Sequence, residues 1–197
     1  MARPAEATRQ NILAHAIDLA ARVGLGGLTI GGLAEATGLS KSGLFAHFGS
    51  KDTLQVRVLE TAGEQFVDAV VRPALRAARG EPRVVELFER WLEWGLGQAA
   101  GCVFTAATFE LDDQPGPARD ALVKLQRDWL DTLAQAARIA VREGHFREDL
   151  DAEQFAFELH GLMLVTHESG RLFRDHTSTK RARNGFERLL RDARRPS

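Results

Sequence analysis

Apolar residues recur along this chain at intervals of three and four, and runs in which apolar and polar residues alternate are nearly absent. A period near 3.6 stacks side chains on one flank of a helix, whereas a half-buried strand needs a period of two, so the pattern predicts an all-α fold. A first helix is expected from about Ala5 to Val23, with Ile12, Ala16, Leu19 and Val23 on one face and Gly24, Gly26 and Gly27 ending it. Two short helices follow, Ile30 to about Ala36 and Lys41 to about Ala46, joined by Thr37-Gly38-Leu39-Ser40. Thr29 and Ser40 suit their N-caps, because a hydroxyl there accepts from backbone N–H groups that the first turn leaves unpaired. Gly38 suits the turn, since glycine takes a positive φ at little steric cost. Ser50 caps a long helix expected from Lys51 towards Ala78, with a kink at Pro73. Beyond Arg79-Gly80-Glu81-Pro82, helices are expected at Arg83–Ala99, Val103–Leu111, Ala118–Arg142, Ala152–Arg174 and Thr179–Asp192, about nine in all.

The chain has 197 residues, enough to bury a sizeable core without covalent staples. Its one cysteine, Cys102, excludes an internal disulfide and is too few for a thiolate metal cage. The opening residues lack the apolar centre of a signal peptide, and no apolar run reaches membrane-spanning length. A soluble, cytoplasmic protein is therefore expected. The net charge of −1 argues against wholesale attraction to nucleic acid. Charge is local, however: between Ser40 and Lys51 there is no acidic residue, while Lys41, His47 and Lys51 lie within that span.

The span Thr29 to Leu54 has the composition of a helix-turn-helix. In that motif the first short helix braces a second whose outer face enters the major groove of DNA. Ala34 supplies the small residue at the crossing, Leu33, Leu39, Leu44 and Phe48 supply apolar anchors, and Ser40, Lys41, Ser42 and His47 are left for the outside. Gly43 removes a side chain where backbone approaches DNA. This stretch resembles the DNA-binding domain of the TetR family of regulators, in residues and in order: a Thr-start helix, a Gly turn, Ser-Lys-Ser-Gly-Leu-Phe, His-Phe, then Lys-Asp-x-Leu opening the next helix. The resemblance implies an N-terminal helix-turn-helix domain over residues 1–50 and a larger helical ligand-binding and dimerisation domain over 51–197. It implies phosphate contacts at Thr29 and Lys51, base contacts near Ser40, Lys41, Ser42 and Gly43, a backbone contact from His47, and Arg3 reaching phosphate or minor groove. The family usually has tyrosine where Phe45 stands, and this chain has no tyrosine, so Phe45 offers sugar packing without the phosphate bond.

Past residue 51 the resemblance is one of layout. It implies a small-molecule effector among the middle helices, for which Trp91, Trp94, Phe104, Thr105, Thr108, Phe109, His160, Met163 and His167 mix apolar walls with a few polar groups. It also implies a homodimer held by the last two helices. Phe155, Leu159, Leu162, Thr166, Ser169 and Phe173 form a stripe at spacings of three and four, and Phe186, Leu189 and Leu190 give the final helix a patch to match; packing within one chain is the alternative. A dimer also suits the DNA, because one short helix reads few base pairs and a two-fold operator needs paired readers.

No metal or cofactor is expected. His160 and His167 are two turns, roughly 10 Å, apart along a helix and too distant to share one ion. Enzyme chemistry is not expected either: Asp112 and Asp113 adjoin a Pro-Gly-Pro loop, and no nucleophile elbow or phosphate loop is present. The expected function is a ligand-responsive repressor binding double-stranded operator DNA. A helical interaction module that keeps the shape without specific DNA binding is the rival.

Overall fold

The computed structural model describes residues 4–195. Among these the regular structure is helical throughout, apart from one isolated bridge between Phe146 and Arg194. The helices are α1 (Pro4–Gly27), α2 (Ile30–Thr37), α3 (Lys41–Phe48), α4 (Lys51–Phe66), α5 (Glu81–Gly97), α6 (Val103–Leu111), α7 (Pro117–Arg142), α8 (Ala152–Arg171) and α9 (Ser178–Ala193). None is long and apolar enough to cross a membrane. Arg3 lies outside the described residues.

The caps explain where the short helices begin and end. Thr29 accepts from the Gly32 N–H at 3.0 Å, and Ser40 accepts from the Gly43 N–H at 3.1 Å. Gly38, at φ 69°, closes α2 in the left-handed region, and Gly49, at φ 72°, closes α3. The long helix after Ser50 does not run evenly to Ala78. At Val67–Val71 it widens into a π turn, in which the Arg72 N–H reaches back five residues to the Val67 carbonyl, and α-helix ends with Arg72–Ala74. Pro73 is the cause: it has no N–H for the carbonyl four residues back, and its ring crowds that carbonyl, so the preceding turn opens to let it in.

The chain packs as two compact units. One holds residues up to Gln65 together with Gln98–Leu125; the other holds Phe66–Gly97 together with Gln126 onward. The division expected at residue 50 concerns role; packing brings α6 and the start of α7 into the unit that carries the helix-turn-helix. In that unit α1 buries Ile12, Leu13, Ala16, Ile17 and Ala20 against Leu33, Ala34, Leu44 and Phe48, the α4 residues Leu54, Val58 and Leu59, and Val103 and Ala107 of α6. Val23, expected on the core face, is 51% exposed. The helix breaks at Gly24, φ 77°, and the next buried side chain is Leu25, past the break.

The other unit closes around Phe88 of α5 and Phe186 of α9, stacked at 4.0 Å between ring centres. Ala137 and Ala140 of α7, Ala156 of α8 and Ala182 of α9 let these helices approach closely. Gly38 offers a clean test of the turn, because a methyl group there would meet nothing within 4 Å and the cost is backbone alone. Gly38→Ala should lower stability by about 1 kcal/mol, read as a fall in the urea midpoint with an unchanged slope; no fall would mean that the left-handed cap does not hold the turn.

Candidate nucleic-acid interface

Helices α2 and α3 have eight residues each, too few to persist unaided. Their inner faces explain their existence: Leu33 and Leu44 are fully buried, Ala34 and Phe48 nearly so, and Leu39 packs half-buried against the same cluster. With those positions committed inward, α3 turns Ser40, Lys41, Ser42, Phe45 and Ala46 outward, all exposed, with Gly43 and His47 half-exposed between them. Phe45 is 57% exposed, a large aromatic face on the outer surface of the helix.

That surface carries hydroxyls, an ammonium and an imidazole, groups able to pair with phosphates and base edges. Lys41 has no acidic partner among the described residues. Its Nζ lies 3.7 Å from the point where a Cβ on Gly31 would stand, and the Thr29 hydroxyl lies 4.0 Å from the same point. Gly31 thus leaves room for a hydroxyl and an ammonium to share one side, at the starts of α2 and α3, where free N–H groups favour anions. The Ser40 and Ser42 hydroxyls stand 3.2 Å apart. His47 tilts against Phe48 at 6.3 Å, and the Arg9 guanidinium sits over the Phe48 ring at 5.9 Å.

Lys51 is exposed but engaged. Its Nζ donates to the Gly26 carbonyl at 2.6 Å, using one of three donors to hold the end of α1. Gln55 Nε2 donates to the neighbouring Leu25 carbonyl at 2.8 Å. Sequence reasoning missed Glu110 of α6, whose carboxylate accepts from the Leu25 N–H at 2.7 Å and from the Gly26 N–H. The run Gly24-Leu25-Gly26-Gly27 was the available signal, since so many glycines in one turn mark a close approach as well as a break.

This arrangement has relatives. The family model "Bacterial regulatory proteins, tetR family" matches residues 12–58. The model "Tetracyclin repressor-like, C-terminal domain" matches residues 80–186, more than half of the chain. The chain belongs to the TetR family of transcriptional regulators. Among solved structures, a TetR transcriptional regulator from Chloroflexus aurantiacus is 20% identical, with 96% of each chain covered and a TM-score of 0.85. A transcriptional regulator from Saccharomonospora viridis, solved with choline, is 22% identical over 98% of this chain and 100% of that one, at 0.80. AibR, solved with isovaleryl coenzyme A and operator DNA, is 21% identical over 94% of this chain and 99% of that one, at 0.73. At these identities the likeness is one of fold. No curated protein matches the sequence.

The residues expected to line an effector site fall in both units. Phe104, Thr105, Thr108 and Phe109 belong to α6, where Phe109 is 73% exposed. In the other unit Met163 is buried and Trp91, Trp94, His160 and His167 are half-buried. There Phe66 meets Trp94 and Trp129 edge-on, at 5.9 and 5.0 Å between ring centres. None of the expected residues lines the shallow groove of about 380 Å³ between Val71, Leu75, Arg83, Leu87, Asp131 and Ile139. Among the described residues no three metal-ligating side chains gather at one point. Of the expected dimer residues, Phe155, Leu159, Phe186 and Leu190 are buried in the unit's own core. Leu162, Thr166, Ser169 and Leu189 are half-buried, and Phe173 is 67% exposed. A second stripe on α8 faces outward: Phe157 at 72% and Val165 at 58%, with Leu172 beyond the helix end at 70%.

Burial pushes the His160 imidazole below the ordinary histidine range, and burial followed by the Arg171 charge does the same at His167. The unfolded chain therefore takes up these protons at a higher pH than the folded one. Their contribution to stability is full above the ordinary histidine value and is lost as pH falls from there through the lowered folded values. The urea midpoint should drop between pH 7 and pH 5, and His160→Gln with His167→Gln should shrink the drop; an unchanged pH slope in the double variant would refute this.

Proposed function

We propose that the protein is a ligand-responsive repressor that binds a two-fold operator as a homodimer through α3. The observation carrying this reading is the outward face of α3, polar and basic on an element that exists only because its other face is buried. Thr29, Ser40, Lys41, Ser42, Gly43, Phe45 and His47 are the proposed DNA contacts. Lys51 joins them with the two donors left after the Gly26 carbonyl. Phe45 packs its ring on sugar or a thymine methyl, contacts that need no hydroxyl. The operator DNA solved with AibR supports a duplex as the partner.

For the dimer we propose the outward stripe of α8, Phe157, Val165 and Leu172, with Phe173 and the half-buried Leu162, Thr166 and Ser169 beside it. An exposed apolar stripe along a helix marks an association surface, and a second copy satisfies the pairing that a two-fold operator asks for. The effector is placed in the unit that holds Trp91, Trp94, His160, Met163 and His167. Choline and isovaleryl coenzyme A in the fold relatives support a small molecule. An effector that prefers the conformation with ill-spaced reading heads must weaken DNA binding, by reciprocity of coupling.

Duplexes selected by the protein from a random-sequence pool should converge on an inverted repeat, and binding should weaken as salt rises. Lys41→Ala should weaken the selected duplex by about 1–3 kcal/mol and relax its sequence preference at one position of the repeat, the signature of one lost base contact. A pool with no convergence would instead favour the helical interaction module. Phe157→Glu with Val165→Glu should leave a folded monomer by analytical ultracentrifugation, with affinity for the selected duplex sharply reduced. A variant that stays dimeric would place the interface elsewhere.

A further inference from the structure

Three side chains from two helices close on one turn of backbone, the Gly24–Gly27 end of α1. From α6, Glu110 Oε2 accepts from the Leu25 N–H at 2.7 Å and Oε1 accepts from the Gly26 N–H. From α4, Lys51 Nζ donates to the Gly26 carbonyl at 2.6 Å and Gln55 Nε2 to the Leu25 carbonyl at 2.8 Å. Leu25 and Gly26 are thus held at both their donors and their acceptors, the donors by a residue some 85 positions away in sequence. Hydrogen bonds to an ionised acceptor are stronger than neutral ones, and two adjacent N–H groups on one carboxylate fix direction as well as distance.

The local sequence is shaped to receive that carboxylate. A Cβ on Gly24 would stand 2.7 Å from Glu110 Oε2, and one on Gly26 would overlap Oε1. Gly24 also adopts φ 77°, which side-chain-bearing residues avoid. Leu25 and Leu28 are fully buried on either side, so the turn has little freedom left once Glu110 is seated. The next residue is Thr29, the cap of α2 and a proposed phosphate contact.

From this we infer that Glu110 is a positioning residue for operator recognition: by gripping Leu25 and Gly26 from α6, it sets where Thr29 and the start of α2 stand relative to α3. It touches no DNA itself. The inference rests on the reading of α2 and α3 as the DNA-binding element, and it adds a route by which displacement of α6 reaches that element through two hydrogen bonds.

The test uses the full-length protein and, as probe, the best duplex that the wild type selects from a random-sequence pool, beside an unselected duplex. Glu110→Gln keeps the shape but replaces one acceptor with a donor, and should weaken the selected duplex about tenfold, the effect of a lost charged hydrogen bond. Binding to the unselected duplex should stay within twofold of wild type, which distinguishes mispositioning from general loss of fold. Gly26→Ala displaces the carboxylate while Glu110 remains, and should reproduce the effect. The double variant should be no worse than either single one, because both break the same contact. Without DNA, amide exchange at Leu25 and Gly26 should quicken in both variants while the amides of α6 keep their wild-type rates. Wild-type selection together with single variants that match wild type in affinity and exchange would overturn the positioning role alone. Failure of the wild type to select any duplex would overturn the DNA reading and this inference with it.

Discussion

Two helices of eight residues cannot hold themselves together in water, and the function of this protein depends on how that deficit is met. Burial of Leu33, Ala34, Leu44 and Phe48 supplies the stabilisation, about 1.5–3 kcal/mol for each of the three large side chains and less for Ala34. The Thr29 and Ser40 caps add about 1 kcal/mol each and fix where the helices start. Because the inner positions are so fully committed, the remaining ones have nowhere to point but outward. The outward face of α3 is the complement of its core face, and neither is separable from the other.

The same unit ties the reading element to the chain beyond it. α6, distant in sequence, shares a core with α1 through Val103 and Ala107, and reaches the α1–α2 turn with a carboxylate. The contacts of α6 on that turn are a few polar ones, costly to leave half-made.

Much of this was legible in the sequence, and the parts that were not share a cause. Helix starts were readable because caps are local: Thr29, Ser40 and Ser50 announce α2, α3 and α4 through their own hydroxyls. Val103–Leu111 stands where periodicity placed it. Glu110, Lys51 and Gln55 were opaque because their partners are backbone atoms, which carry no residue identity. The two faces of α8 were ambiguous for another reason. Period shows that Phe155 and Leu159 share a side, as do Phe157 and Val165, but only the surrounding helices decide which side is inside. The unit boundary at Phe66 was hidden likewise, since Pro73 announces a kink in this run but nothing local marks Phe66.

If α3 is the reader, its outward face is the surface that meets duplex DNA. Amide chemical shifts of the labelled protein, recorded as its own selected duplex is titrated in, test this most directly. The largest changes should fall between Thr29 and Lys51, peaking from Ser40 to His47, with an unselected duplex shifting the same region less. Changes confined to another surface, with Ser40 to His47 unmoved at saturation, would contradict it.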